Sequence, residues 1–152
     1  MKFIHKKVRL NASITQAMRF FLIEKEVTKW LGNAQIDNKI GGFYNIEFAY
    51  NDKKWSSHTT ILEKSFERLI KFDMITPGAQ KSGPVEVNFM PCTTKTEYCT
   101  EIHLIHRNVP DQEQSVMENF WNEKLNQLRQ HFNDDWIIED RDLVLSILRG
   151  GF

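Results

Sequence analysis

Long apolar runs are missing from this chain. Nowhere in its 152 residues does the run of ~20 apolar side chains of a membrane-spanning helix occur. The apolar core of a secretory signal is missing too, because polar or charged residues interrupt the N-terminus throughout. The expectation is a cytoplasmic protein without membrane insertion. Nor does either charge predominate: 20 Lys and Arg stand against 20 Asp and Glu. Holding nucleic acid through its phosphates needs clustered cations, so no nucleic-acid partner is expected. The basic start, His5-Lys6-Lys7 with Arg9, is broken by Val8 and Leu10 and reads as a strand with a solvated face.

Cysteine is almost absent. Cys92 and Cys99 are the two present, and without a secretion signal both are read as reduced thiols. Their seven-residue separation can bring them together across a hairpin. Internal repeats and low-complexity tracts are lacking, and the length suits one domain that buries about two-thirds of its unfolded surface.

What the chain does have is an ordered succession of hydrophobic periods. Lys2 to Leu10 alternates as a strand, with Phe3, His5, Lys7 and Arg9 on one face. Ser13 and Gln16 have capping-box spacing before a helix whose stripe is Ala17, Met18, Phe21 and Leu22. A second short helix carries Val27, Trp30 and Leu31 and stops at Gly32-Asn33; residues 34–40 connect onward with a short strand. Gly41-Gly42 opens a strand with Tyr44, Ile46, Phe48 and Tyr50 on one face, and Asn51-Asp52-Lys53 is a turn. A strand from Trp55 to Lys64 and another over 69–76, with Ile70, Phe72 and Met74 together, follow. Pro77-Gly78 ends the latter, and Gly83-Pro84 is read as bounding a mobile loop. Val85, Val87 and Phe89 alternate up to Pro91, then Thr93-Thr94-Lys95 turns the chain. Tyr98, Thr100, Ile102, Leu104 and His106 share one face of a long strand.

After the break at Asn108 to Asp111, the spacing of Met117, Phe120, Trp121, Leu125, Leu128 and Phe132 is that of a buried stripe on a helix over 112–132. The fold class expected is therefore α+β: one curved antiparallel sheet wrapped around a long C-terminal helix, with two short N-terminal helices. Residues 1–133 form that domain. Residues 134–152 are an extension packing on the same domain or on a partner. Leu143, Val144, Ile147 and Leu148 there suit a helix, and Leu143-Val144-Leu145 suits a strand. Through residues 136–152 a homodimer contact is one reading.

These residues resemble a known family. Asn11-Ala12 entering helix one, Trp30 closing helix two, and Gly41-Gly42-Phe43 opening the sheet carry the likeness. So do Ile61-Leu62-Glu63 followed by Glu67-Arg68-Leu69, the alternation Thr100, Ile102, Leu104, His106, and Trp121 with Leu125, Leu128 and Phe132. In that order they are similar to the START-like, birch-pollen-allergen-type (SRPBCC) superfamily, in the branch named for the activator of the ninety-kilodalton heat-shock chaperone's ATPase. The usual Pro-Pro turn of that family is Ser65-Phe66 here. The resemblance implies a helix-grip fold with an apolar cavity between the sheet and the last helix. Its members include lipid carriers, hormone receptors and aromatase-cyclases, so fold alone selects no function.

Chemistry-bearing patterns are sparse. His103 and His106 stand at an odd offset that puts them on opposite faces of a strand, so no metal is expected. Ser56, Ser57, Thr59 and Thr60 beside His58 give no triad geometry, and Gly41-Gly42 lacks the rest of a phosphate loop. No cofactor is expected. The aromatics are more telling, with 11 Phe, 4 Trp and 3 Tyr. An apolar cavity with a few convergent donors is the profile of a small-molecule site.

The function expected is thus binding of a hydrophobic, aromatic or lipid-like small molecule in an internal cavity. Tyr44, Tyr50, Tyr98 and His106 would make polar contacts. The wall would be Trp30, Ile46, Phe48, Trp55, Phe72 and Met74, with Phe89, Ile102, Leu104, Met117, Phe120 and Trp121. Two alternatives stand beside it. A cyclase- or hydrolase-type enzyme would need Glu63, Asp73 or His106 inside the cavity. A chaperone-regulating interaction module is the other, although nothing in the chain resembles the separate chaperone-binding domain of the eukaryotic activators.

Overall fold

The computed structural model describes residues 2–78, 82–92 and 99–133. The first strand, β1 (Lys2–Leu10), alternates as its sequence demands, burying Ile4 and Leu10 and exposing Phe3, His5, Lys7 and Arg9. Helix α1 (Ile14–Leu22) starts where its cap dictates. The Gln16 amide donates to Ser13 Oγ at 3.1 Å, and the Ser13 amide donates to Gln16 Oε1 at 3.0 Å. Such a cap is worth about 1 kcal/mol. Ala17, Met18, Phe21 and Leu22 are its buried stripe. Helix α2 (Glu24–Thr28) follows directly, with Glu24 and Glu26 at the end where a helix dipole favours anions.

The remaining strands are β2 (Asn33–Ile36), β3 (Phe43–Tyr50), β4 (Lys53–Ser65), β5 (Leu69–Ile75), β6 (Ser82–Pro91) and β7 (Thr100–Val109). They form one antiparallel sheet in the order β1-β7-β6-β5-β4-β3-β2. Register irregularities between Lys2 and Ile4 and between Ile61 and Glu63 interrupt β1 and β4, and such bulges increase a strand's bend. A short 3-10 turn, Asp111–Glu113, leads into α3 (Gln114–Asn133). Helix α3 lies across the concave face with Met117, Phe120, Trp121, Leu125 and Leu128 buried. The curved sheet gripping a long helix, with α1 and α2 beside it, is the architecture that the hydrophobic periods foretold.

Two expectations are corrected. Gly83 and Pro84 do not bound a loop; they lie inside β6, opposite Met74 and Asp73. A side chain at Gly83 would collide with the backbone carbonyl of Arg107, so the glycine permits close approach of β6 to β7. Cys92 and Cys99 are not reduced thiols: they form a disulfide, with Cα atoms 5.2 Å apart, and the Cys92 amide donates to the Cys99 carbonyl at 3.0 Å. The antiparallel register that places Pro91 opposite Thr100 sets the two cysteines face to face. The turn at 93–95, Tyr98 and the extension 134–152 lie outside the described residues.

Candidate functional site

Inward-facing positions of the sheet and of α3 meet in a lattice of rings. Tyr44 stacks on Phe72 at 4.2 Å between centroids and Phe48 on Trp55 at 5.0 Å. Phe120 takes Phe48, Tyr50 and Trp121 edge-on at 5.5, 5.6 and 5.1 Å, while Phe21 meets Trp30 and Phe89 at 5.1 and 5.6 Å. Of the wall and contact residues expected from sequence, all are brought into this one interior, Trp55 half-buried at its margin, except Tyr98, which lies outside the described residues. The rings converge on the region between sheet and α3 where a cavity is expected from sequence. Two concavities, of about 340 and 410 Å³, open at the surface: one beside Lys29 and His131, the other between β1 and the outer side of α3.

Most aromatic donors in the interior are already spent on the protein itself. Trp30 Nε1 donates to the Phe20 carbonyl at 2.7 Å and Trp55 Nε1 to the Ile75 carbonyl at 2.8 Å. Tyr44 Oη, expected to contact a ligand, donates to the Phe21 carbonyl at 2.7 Å, and burial pushes its hydroxyl well above the usual tyrosine range.

His106 is different. It is fully buried on β7, facing inward with Ile102 and Leu104 as the alternation required. Trp121 Nε1 donates to His106 Nδ1 at 3.1 Å. An indole nitrogen can only donate, so Nδ1 must be the unprotonated ring nitrogen and Nε2 carries the hydrogen. Burial pushes the imidazole pKa down to about 4, which keeps this neutral tautomer at pH 7. That Nε2–H is buried and has no acceptor among the described residues.

Three more polar atoms share this condition and lie toward the same end of the molecule: Thr76 Oγ1, Glu113 Oε1 and Gln114 Oε1. Thr76 follows β5, while Glu113 and Gln114 stand where the chain enters α3. The two stretches touch, because a side chain at Gly78 would collide with the Glu113 carboxylate. His106 lies three residues before the last residue of β7, about 10 Å deeper along the strand. Sequence reading singled out His106 but missed Thr76, Glu113 and Gln114. Polar residues at element ends look like solvated caps until the tertiary approach of β5 and α3 buries them.

The acids weighed for catalysis are elsewhere. Glu63 is exposed and 3.9 Å from Lys71, and Asp73 alternates away from the core between Phe72 and Met74. His103 faces outward, where Glu101 Oε2 meets its Nε2 at 2.8 Å. Among the described residues, no group of three or more His, Cys, Asp or Glu is placed to hold a metal, and no helix is long and apolar enough to cross a membrane.

Solved structures resemble this arrangement. A dimeric Aha1 from Colwellia psychrerythraea matches with a TM-score of 0.65 and 15% identity, over 87% of this chain and 96% of that one. A Nitrosomonas europaea protein matches at 0.66 and 13%, over 85% and 92%. One from Cytophaga hutchinsonii matches at 0.66 and 17%, over 86% and 93%. At such identities the likeness concerns the fold. No curated protein matches the sequence. The sequence pattern of the family described as "Activator of Hsp90 ATPase homolog 1-like protein" matches residues 11–133, which is most of the chain and nearly all of the described fold. The chain belongs to that family.

Proposed function

We propose that the protein binds a small, largely apolar molecule between the concave face of its sheet and α3, with a polar head directed to the His106 end. The observation that carries this reading is the Nε2–H of His106: a buried donor of fixed tautomer, held by Trp121, with no acceptor among the described residues. Leaving such a group unpaired costs about 1–3 kcal/mol, and a ligand's carbonyl or hydroxyl oxygen would recover it. The surrounding wall is apolar and aromatic, the usual lining of a small-molecule site. Because rings fill the interior, entry requires some of them to repack, and a flat or flexible apolar guest suits that better than a bulky rigid one. Catalysis is the weaker reading, since Glu63 and Asp73 are turned away from the interior.

The test is native mass spectrometry of the purified full chain, together with displacement of an anilinonaphthalene dye by a panel of aromatic ketones, fatty acids and sterols. Binding that falls at least tenfold in His106→Phe, with the fold retained, supports the reading. A chain that carries nothing, takes up no dye and binds no member of the panel ends it.

A further inference from the structure

A groove of about 410 Å³ runs between β1 and the outer side of α3. Its walls include Lys6, Lys7 and Arg9 of β1 and Asn122, Asn126 and Arg129 of α3. The three α3 residues share one helical face, being three to four positions apart. Among the described residues β1 pairs with β7 alone, so it is an edge of the sheet. Two carboxylates reach these cations from outside the groove. Glu118 Oε1 is 2.6 Å from Lys6 Nζ, and Glu101 lies 3.8 Å from Lys7 and 3.7 Å from Arg9. Arg129 is met by the neutral Oδ1 of Asn126 at 3.0 Å. Among the described residues, four cations against two anions make the groove positive.

The described part of α3 ends at Asn133, four residues and about 6 Å of helix axis beyond Arg129. The next nine residues, 134–142, read Asp-Asp-Trp-Ile-Ile-Glu-Asp-Arg-Asp: five carboxylates against one guanidinium, around an apolar centre. Lys6 meets Glu118 near the start of α3 and Arg129 stands near its end. A segment that leaves α3 and doubles back therefore passes Arg129 first and the β1 cations after it. Nine extended residues reach ~30 Å, against ~16 Å of helix between residues 122 and 133. Length and starting point both suffice.

We propose that residues 134–142 of the same chain dock in this groove, their carboxylates on Lys7, Arg9 and Arg129. Tethering at residue 133 supplies an effective concentration in the millimolar range, so individually weak exposed pairs are enough. Those pairs are screened by salt, and docking in cis is accordingly salt-sensitive.

The experiment uses the full chain. Zero-length carbodiimide coupling joins a Lys to a carboxylate only in contact, and tryptic cleavage after Arg141 reports access to the segment. The expected result is a coupled peptide between Lys6 or Lys7 and an acid of 134–142 in the monomer fraction, with slow cleavage after Arg141. In Arg9→Glu/Arg129→Glu, or at 1 M salt, coupling should fall and cleavage accelerate at least fivefold. Adding Asp134→Lys and Asp135→Lys to that variant should restore slow cleavage, which a merely unfolded variant would not do. Coupling confined to a dimer fraction would assign the groove to a second copy and overturn the proposal. So would absence of coupling with equal cleavage in both chains, or a groove that takes an added acidic peptide without competition from the segment.

Discussion

Trp55 donates its indole N–H to the backbone carbonyl of Ile75 at 2.8 Å, a bond that strand ladders ordinarily make through the main chain. It has company. The Ile75 amide donates to Ser57 Oγ at 2.9 Å, and Thr59 Oγ1 donates to the Asp73 carbonyl at 2.6 Å. Main-chain pairing of β4 with β5 runs only from Ile61 opposite Phe72 to Ser65 opposite Leu69. Beyond Ile61 the two strands are therefore stitched by side chains, along a seam that ends beside buried Thr76. Ser57→Ala leaves the Ile75 amide without its acceptor and should destabilise the fold by about 1–3 kcal/mol. Hydrogen exchange gives the sharper readout: the Ile75 amide should speed up more than those of Ile70 and Phe72. Uniform acceleration across β5 would mean that the seam has no separate stability.

His106 makes stability depend on pH in a definite direction. Its folded pKa is about 4, against about 6.5 for an unperturbed imidazole. Between those values the unfolded chain takes up a proton that the folded chain refuses, so stability falls as pH drops below about 6.5 and levels off below about 4. The full effect is on the order of 3 kcal/mol. Denaturant midpoints at pH 7 and pH 5 should therefore differ more in the native sequence than in His106→Phe. Equal pH dependence in the two would show that the imidazole titrates normally in the fold.

The Cys92–Cys99 bridge joins cysteines seven positions apart in the chain, and loop-closure entropy at that separation is worth about 2–3 kcal/mol. Cys92→Ser/Cys99→Ser should lower thermal stability accordingly, and reductant should lower the native protein to the same level without affecting the variant. Mass spectrometry after alkylation without reductant checks the bridge directly: no added mass is expected at either sulfur.

How much of this was legible in the chain depends on distance along it. Ser13 and Gln16 announce the α1 cap because both partners lie in one turn. His106 was placed inward correctly because alternation with Ile102 and Leu104 is a local rule. Gly83 was misread as a loop breaker for the opposite reason: its role depends on the Arg107 carbonyl of another strand, and nothing local reveals it. Thr76 and Glu113 were missed likewise, since neither is buried until β5 and α3 converge. The size of the interior space was not legible either. Ring counts predict how much apolar surface must be covered, but whether Phe48, Phe120 and Trp121 close the gap depends on the curvature that bulges and twist impose.

Two glycines separate steric from conformational necessity. Gly41 has φ +85°, a backbone region that L-residues rarely adopt, yet a side chain there would meet open space. Asn tolerates left-handed conformations better than most residues, so Gly41→Asn should shift stability by less than about 1 kcal/mol. At Gly83 the obstacle is backbone of the neighbouring strand, which cannot swing aside as a flexible side chain would. Gly83→Ala must push β6 away from β7 where Pro84 and Val85 enter the sheet, at a cost of about 1–3 kcal/mol or more. Denaturant titration of both variants decides between these accounts. A lower midpoint for Gly83→Ala at unchanged slope, with Gly41→Asn near the native value, is the expected outcome. Were Gly83→Ala neutral, Gly83 would owe its position to something other than the packing of β6 against β7.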